Sequence, residues 1–382
     1  MSVTSATGFR AAGVAAGLKS TGKPDVALVV NDGPNFAAAA VLTSNRVFAA
    51  PVAWTRKVMG GEIKAVILNS GGANACTGQG GFEDSQATAE KVASLLGCEA
   101  TKVAVCSTGL IGMRLPMERL LSGVEDAAAS LSADGGPSAA QAIITTDTHA
   151  KTTTRSGEGY LIGGMAKGAG MLAPGLATML VTITTDALLT AAELDESLRA
   201  ATSVTFDRLD SDGCMSTNDT VILLSSGASG VTPELPEFTR ILTELCDDLA
   251  RQLMADAEGA SHDISITVRG AAVVDDAVEV ARAISRSNLF KCAIFGNDPN
   301  WGRVLSAVGT TKAAFNPEQL DVSFNGVPVC IAGAPGVDRS EVDLTSRAVQ
   351  ILVDLHAGDQ EATILTNDLT YDYVKENAEY SS

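Results

Sequence analysis

A mixed α/β fold, with sheets sandwiched by helices, is what this 382-residue sequence predicts. Three observations carry the expectation. Short apolar, β-branched runs alternate with amphipathic stretches along the whole chain, the pattern of strands interleaved with helices. Hydrophobic residues make up 46% and charged residues 19%, the profile of a folded globular protein and not of a disordered one. Aromatics are 4%, so the core must come mostly from Ala, Val, Leu and Ile, and a chain of 382 residues exceeds what one core usually serves. Two or three domains or lobes are expected.

In order, residues 26–30 and 64–68 read as strands. Residues 83–96 read as a helix, with Ala89, Val92, Ala93 and Leu96 on one face and Gly97 as its stop. Residues 102–106 form the next strand, which runs into Ser107, Thr108 and Gly109; Pro116 then opens a helix to about Leu131. Residues 132–138 (SADGGPS) look like a surface loop, 160–162 a short strand, 180–185 a β-branched strand, 191–201 a helix and 220–224 a buried strand. Residues 233–257 read as one long helix, with Pro236 the place for a break. Beyond it come a strand at 264–268, a helix at 275–287, a hairpin at 320–331 turning on Asn325 and Gly326, a helix at 346–355 and a strand at 362–365. There is no internal repeat, and no Pro/Ser linker marks a boundary.

Net charge is −18, with a pI near 4.5. Such a surface repels phosphate backbones, so no nucleic-acid partner is expected. The seven cysteines are odd in number and contain no CxxC pair, which favours buried reduced thiols over a disulfide framework. His149, His262 and His356 are far apart and read as surface or loop residues, without metal-ligand spacing. Residues 1–19 hold no sustained apolar region or cleavage signature, and no stretch of about 18 apolar residues occurs. A soluble, cytoplasmic protein without a membrane partner is expected.

The densest feature is residues 163–180, GGMAKGAGMLAPGLATML. Its glycines let backbone approach something closely, and it holds one cation, Lys167. By composition alone it is a glycine-rich turn before a strand, with Lys167 at the surface; no P-loop or dinucleotide pattern is present. The segment resembles the signature of the ornithine acetyltransferase family, also called glutamate N-acetyltransferases, whose usual form is K-G-x-G-M-x-x-P-x-M-A-T-M-L. The match runs from Lys167 to Leu180, with Leu176 in place of Met, a swap that conserves volume. Further blocks match in order: residues 69–78 (NSGGANACTG, with Gly72 for a frequent Asn), 107–112 (STGLIG) with 115–117 (LPM), 145–148 (TTDT), 216–220 (STNDT), 256–259 (DAEG), 296–304 (GNDPNWGRV) and 368–382. Two departures stand out. Cys214 and Met215 occupy places where Asp-Thr is common, and Ser261 and His262 places where Thr-Lys is common.

The resemblance implies a self-processed acyltransferase with an N-terminal nucleophile, of the ornithine acetyltransferase/aminopeptidase kind. The chain would cut itself between Ala177 and Thr178, giving an α chain of residues 1–177 and a β chain of residues 178–382, with a C-terminal lobe from about 260. An N-terminal threonine carries a hydroxyl nucleophile beside an α-amine of pKa roughly 7.7–8, which can accept the hydroxyl proton near neutral pH. The implied reaction moves acetyl from N2-acetylornithine to glutamate through an acetyl-Thr178 intermediate, within arginine biosynthesis. Thr108 and Gly109 would form the oxyanion hole; Thr146, Lys167, Thr178, Glu258, Asn377 and Ser382 would contact substrate, Lys167 through a carboxylate. The C-terminus is then expected to be buried at the site. No cofactor and no metal are implied, and the partners are the two chains of one precursor, assembled as a heterotetramer. Some members also use acetyl-CoA as donor, which no residue here reports. Residues 298–303 read as structural.

Two rival readings stand beside this one. A related amidohydrolase would use the same Thr178 and pass the acyl group to water. A non-catalytic amino-acid binding protein would stay one chain of 39.1 kDa.

Overall fold

A computed structural model describes residues 2–173 and 179–379. The chain forms two compact units: residues 1–207 with 214–253, and residues 208–213 with 254–382.

In chain order the first unit carries β1 (Phe9–Val14), β2 (Val26–Asn31), β3 (Ala38–Leu42), α1 (Ala50–Val58), β4 (Ala65–Asn69), α2 (Gly78–Leu96), β5 (Val103–Ser107), α3 (Met117–Ala129), α4 (Gly136–Ile143), β6 (Lys151–Gly157), β7 (Tyr160–Lys167), β8 (Leu180–Thr185), α5 (Ala191–Val204), β9 (Thr220–Ser225) and α6 (Leu235–Ala255). Two sheets result. One has the order β1-β2-β4-β5, with β4 and β5 parallel. Every residue of β2, β4 and β5 is buried, as their continuous apolar runs require when both faces are covered. Helices α3 and α4 pack on β2, and α1 and α2 on β5.

The other sheet has the order β3-β9-β8-β7-β6, with β8 and β9 parallel and the remaining pairs antiparallel. Adjacent residues of β7 point to opposite faces. A Cβ on Gly164 would come within 3.0 Å of Leu249, and one on Gly163 within 2.2 Å of the Ser2 carbonyl oxygen. Helix α6 and the N-terminal segment therefore lie close on opposite sides of this strand. Helix α4 touches both sheets, and the main core, from Val26 through Leu120 and Ile143 to Leu180 and Leu224, is shared between them.

The second unit carries β10 (Asp263–Ala271), α7 (Val274–Ser285), α8 (Asn288–Phe295), α9 (Trp301–Val308), β11 (Asp321–Phe324), β12 (Val327–Ile331), β13 (Ala334–Pro335), β14 (Ala348–Asp354), β15 (Gln360–Asn367) and α10 (Tyr371–Glu379). Its sheet runs β13-β12-β11-β14-β10-β15. Helix α7 packs on β10 and β15, and the enclosed core includes Ile266, Ile284, Phe290, Val322 and Ile364. Asn325 and Gly326 turn the β11–β12 hairpin with φ of 47° and 84°, the two positive values of a type I′ turn.

The structure corrects several sequence expectations. Residues 346–355 hold strand β14, not a helix. Val349, Ile351 and Val353 face inward while Ala348 and Gln350 are exposed, a period of two that parallel pairing with β10 exploits. Residues 132–138 are not all loop: Pro137 sits in the first turn of α4, and Ser132 pairs with Ala11 through both its amide and its carbonyl. The strand at 160–162 extends to Lys167, and α6 starts at Leu235, so Pro236 falls in its first turn and breaks nothing. Of the cysteines, Cys106, Cys246 and Cys330 are buried, Cys98 is half-buried, and Cys76, Cys214 and Cys292 are exposed; among the described residues no disulfide joins any two of them. Among the described residues no helix is long and apolar enough to cross a membrane.

Ile266 lies on β10, fully buried between β14 and β15. Ile266→Ala is expected to lower stability by about 2–5 kcal/mol, read as a lower urea midpoint of the second unit's transition.

Candidate active site

Strand β5 delivers the chain to Ser107, Thr108 and Gly109, and the 69–75 block runs alongside that turn. The Thr108 amide donates to the Asn69 carbonyl at 3.0 Å, and the Gly72 amide donates to the Thr108 carbonyl at 3.0 Å. The Ala73 amide donates to the Leu110 carbonyl at 3.0 Å and the Gly112 amide to the Ala75 carbonyl at 2.9 Å. Gly109 has φ of 131°, and a Cβ there would lie 2.8 Å from the Gly72 nitrogen; only glycine fits. With its backbone engaged, Thr108 has its hydroxyl left. Among the described residues neither that hydroxyl hydrogen nor the Gly109 amide has an acceptor.

Lys167 closes β7 and is 1% exposed, and Lys151 opens β6 at 0%; they are the two largest fully buried side chains among the described residues. Charged groups are buried in this way only when paired. Asp147 supplies the pairing. Its Oδ1 accepts Lys151 Nζ at 2.7 Å and the Gly168 amide at 2.6 Å, and its Oδ2 accepts the Thr145 amide at 2.9 Å. Oδ2 also lies 4.0 Å from Lys167 Nζ. Burial pushes the Asp147 carboxyl up, but the ammonium groups of Lys167 and Lys151 and the Thr145 amide outweigh it and hold the carboxyl well below its ordinary range. Lys167 Nζ then donates to Thr108 Oγ1 at 3.2 Å. A hydroxyl that accepts from an ammonium turns its own hydrogen elsewhere.

Lys167 is paired with Leu180 in the β7–β8 register, so this cation stands opposite the strand that begins two residues after Thr178. Just before β8, the Met179 amide donates to Asp219 Oδ1 at 3.0 Å, and the Met179 carbonyl accepts from the Thr220 amide at 3.1 Å. Asp219 is fully buried. Burial raises its carboxyl well above the ordinary range, against the lowering effect of the Met179 amide, Ser216 and Lys167.

The structure thus brings Thr108, Gly109 and Lys167 together. Thr146 is exposed, one residue from Asp147. Ala177, Thr178 and Ser382 lie outside the described residues. Glu258 and Asn377 belong to the second unit, where Asn377 Nδ2 donates to Glu258 Oε2 at 3.1 Å. The burial expected of the C-terminal segment does not hold at Asn377, which is exposed on α10, a helix with no buried residue. Glu258 lines a cleft of that unit with Arg286, Lys291, Asn367 and Tyr373. Burial there lowers the Lys291 amine to about 8, against Asp212 and Asp210, which raise it.

Sequence reasoning missed Asp147, Lys151 and Asp219 as site residues. The spacing of Asp147 and Lys151 was visible, but their burial was not. His262 also departs from expectation. It is buried, with Nδ1 2.7 Å from Asp368 Oδ2 and Nε2 3.1 Å from the Leu344 carbonyl, and so is a bonded core residue. The 298–303 block caps a helix: Asn300 Oδ1 accepts the Arg303 amide at the start of α9, and Asn300 Nδ2 donates to Asp298. Among the described residues no three His, Cys, Asp or Glu side chains group as a metal would need.

Removing the Asp147 charge is expected to be costly. Asp147→Asn removes the carboxylate charge beside two buried ammonium groups, a loss of about 3–5 kcal/mol. Because the folded carboxyl titrates below the unfolded one, its contribution is complete above about pH 4 and fades as pH falls toward its lowered value. The gap in thermal midpoint between wild type and Asp147→Asn is expected to narrow as pH drops from about 4 to about 2, measured by circular dichroism.

Comparison with known proteins places the chain. The model of the ArgJ family matches residues 10–382. The arginine biosynthesis bifunctional protein ArgJ of Streptomyces coelicolor is 64% identical over 383 residues, covering 100% of both chains. That of Thermobifida fusca is 62% identical over the same span, and that of Mycobacterium leprae is 55% identical, covering 100% of this chain and 96% of the other. Among solved structures, an ornithine acetyltransferase of Mycobacterium tuberculosis complexed with ornithine is 53% identical, with a TM-score of 0.45, over 47% of this chain and 96% of that one. Full-length identity at this level leaves one conclusion: the chain belongs to the ArgJ family.

Proposed function

We propose that this protein transfers the acetyl group of N2-acetylornithine to glutamate, in arginine biosynthesis, after cutting itself between Ala177 and Thr178. The observation that carries the reading is the pair of adjacent unengaged donors, the Thr108 hydroxyl and the Gly109 amide, beside a buried cation that stands opposite Leu180. Family membership and the intact A-T-M-L block support Thr178 as the nucleophile.

On this reading Thr178 Oγ attacks the acetyl carbonyl and its proton passes to the Thr178 α-amine. The tetrahedral oxyanion takes hydrogen bonds from Thr108 Oγ1 and the Gly109 amide. Thr108 contributes its hydroxyl, since its amide is held by Asn69. The bond between the acetyl carbon and the ornithine α-nitrogen then breaks, and the proton held by the Thr178 amine goes to the departing nitrogen. Acetyl remains as an ester on Thr178 Oγ. The neutral α-amine of glutamate attacks that ester, passes a proton back to Oγ and leaves as N-acetylglutamate.

Lys167 polarises Thr108 and offers positive charge to a substrate carboxylate. Thr146, Glu258, Asn377 and Ser382 complete the substrate contacts carried over from the resemblance. The relatives are named bifunctional, and acetyl-CoA as a second donor fits the same acetyl-threonine intermediate. The working enzyme would consist of α chains (1–177) and β chains (178–382) in a heterotetramer.

Intact mass spectrometry is expected to give two fragments for wild type and one 39.1 kDa chain for Thr178→Ala, with transfer to glutamate abolished. An uncut wild-type enzyme with full turnover would refute the mechanism. A cut enzyme that only releases acetate would move it to the hydrolases. Thr108→Val keeps the side-chain volume and loses the donor; its kcat is expected to fall about 10²–10³-fold with KM for N2-acetylornithine little changed.

A further inference from the structure

The loop at 216–220, STNDT, has no assigned part in the chemistry. We propose that Asn218 and Asp219 are a positioning pair, which fixes the Thr108–Gly109 turn relative to the start of the nucleophile strand β8. The inference rests on the acetyl-threonine reading above.

Two adjacent side chains reach in two directions. Asn218 Nδ2 donates to the Ser107 carbonyl at 2.8 Å and to the Ala73 carbonyl at 2.6 Å. Ser107 immediately precedes Thr108, and the Ala73 amide bonds Leu110 just past Gly109. Both Asn218 Nδ2 hydrogens therefore hold the two strips of backbone that build the turn. Asp219 Oδ1 accepts the Met179 amide at 3.0 Å. That N–H belongs to the planar peptide group joining residues 178 and 179, so the carboxyl acts one peptide plane from Thr178.

The loop is itself held at every step. Thr217 Oγ1 donates to Asn218 Oδ1 at 2.6 Å, which orients the amide so that its NH2 faces the two carbonyls. The Asn218 amide donates to Ser216 Oγ at 3.0 Å, and Thr220 Oγ1 donates to the Asn218 carbonyl at 2.9 Å. From β3 and the segment after it, the Thr43 amide donates to the Asp219 carbonyl at 2.9 Å, and Thr43 Oγ1 to the Ser216 carbonyl at 2.7 Å.

Asn218 is 4% and Asp219 0% exposed. With both Nδ2 hydrogens engaged and Oδ1 held by Thr217, Asn218 has no side-chain donor left for a ligand, which favours a positioning role over a binding one. No cation among the described residues forms an ion pair with Asp219. Burial raises its carboxyl well above the ordinary range, which favours the neutral form and lets it sit there without one. A neutral acceptor is all that the Met179 amide needs.

The test compares Asp219→Ala, which removes the acceptor, with Asp219→Asn, which keeps an acceptor oxygen and the volume. Both are made in the full chain and checked for folding by circular dichroism. Precursor cleavage is followed by mass spectrometry, and kcat and KM are measured on the cleaved fraction across pH. Asp219→Ala is expected to slow cleavage and to lower kcat roughly 10²-fold, the scale of an ångström-sized misplacement, with KM for glutamate changed less than about threefold. Asp219→Asn is expected to recover kcat to within about threefold of wild type with the pH profile unmoved.

Wild-type cleavage and turnover in a folded Asp219→Ala protein would overturn the proposal. If the alanine variant does not fold, the asparagine variant decides: a kcat loss beyond about tenfold, or a displaced pH profile, would mean that Asp219 carries a proton and not a position. Thr178→Ala separates this inference from the reading beneath it. If that variant still cuts and turns over, the threonine mechanism fails whatever residue 219 does. If it is dead while Asp219→Ala behaves as wild type, only the positioning role fails.

Discussion

The first unit's site depends on one carboxylate that no substrate need touch. Asp147 reaches Lys151 at the head of β6 and the Lys167–Gly168 corner at the tail of β7. Two buried ammonium groups would otherwise face a desolvation cost of several kcal/mol each. Held this way, Lys167 meets Thr108 at 3.2 Å, although Thr108 follows β5 of the other sheet. The antiparallel pairing of β7 with β8 carries the same cation to its place opposite Leu180. An ion pair between sequence neighbours thus helps fix a charge beside the Thr108 turn and the start of β8.

The backbone around that charge is pinned on both sides of the turn by bonds to the 69–75 strip. Thr108 has both its amide and its carbonyl paired with the 69–72 strip, and Leu110 and Gly112 are paired with Ala73 and Ala75. Gly109, which no Cβ could replace, leaves its amide open. Satisfied neighbours make an open donor rigid, and a rigid donor aimed before the reaction starts has no reorganisation cost when negative charge develops.

Much of this could be read from residues, and the failures are informative. Strands β2, β4, β5, β8 and β9 announce themselves because they are runs of mostly apolar or β-branched residues. Strand β6 does not: KTTTRSG is a polar edge strand whose Lys151 and Thr153 are nonetheless buried. Strand β14 was misread because Ala348, Leu352 and Leu355 also satisfy a helical spacing, and the choice between periods is made by its neighbours β10 and β11. At the site, the Thr108–Gly109 turn and Lys167 stood out through the motif. Asp147 and Asp219 did not, since a carboxylate in an acidic chain of net charge −18 looks like surface until its burial is known.

The order in which the site must be built bears on the proposed mechanism. The uncut chain has no α-amine at residue 178, so the base that activates the hydroxyl is missing until the first bond breaks. The donors are not missing. Thr108 and Gly109 are set by β4, β5 and the 69–75 strip, Lys167 by Asp147, and Met179 by Asp219, and none of these bonds uses residues 174–178. On this mechanism, cleavage and acetyl transfer both pass through a tetrahedral carbon with a negative oxygen, attached to the same Oγ. A preset donor pair can lower both barriers, whereas the amine can serve only the second. On this mechanism the first cut proceeds on geometry and oxyanion stabilisation alone, without the base that it creates.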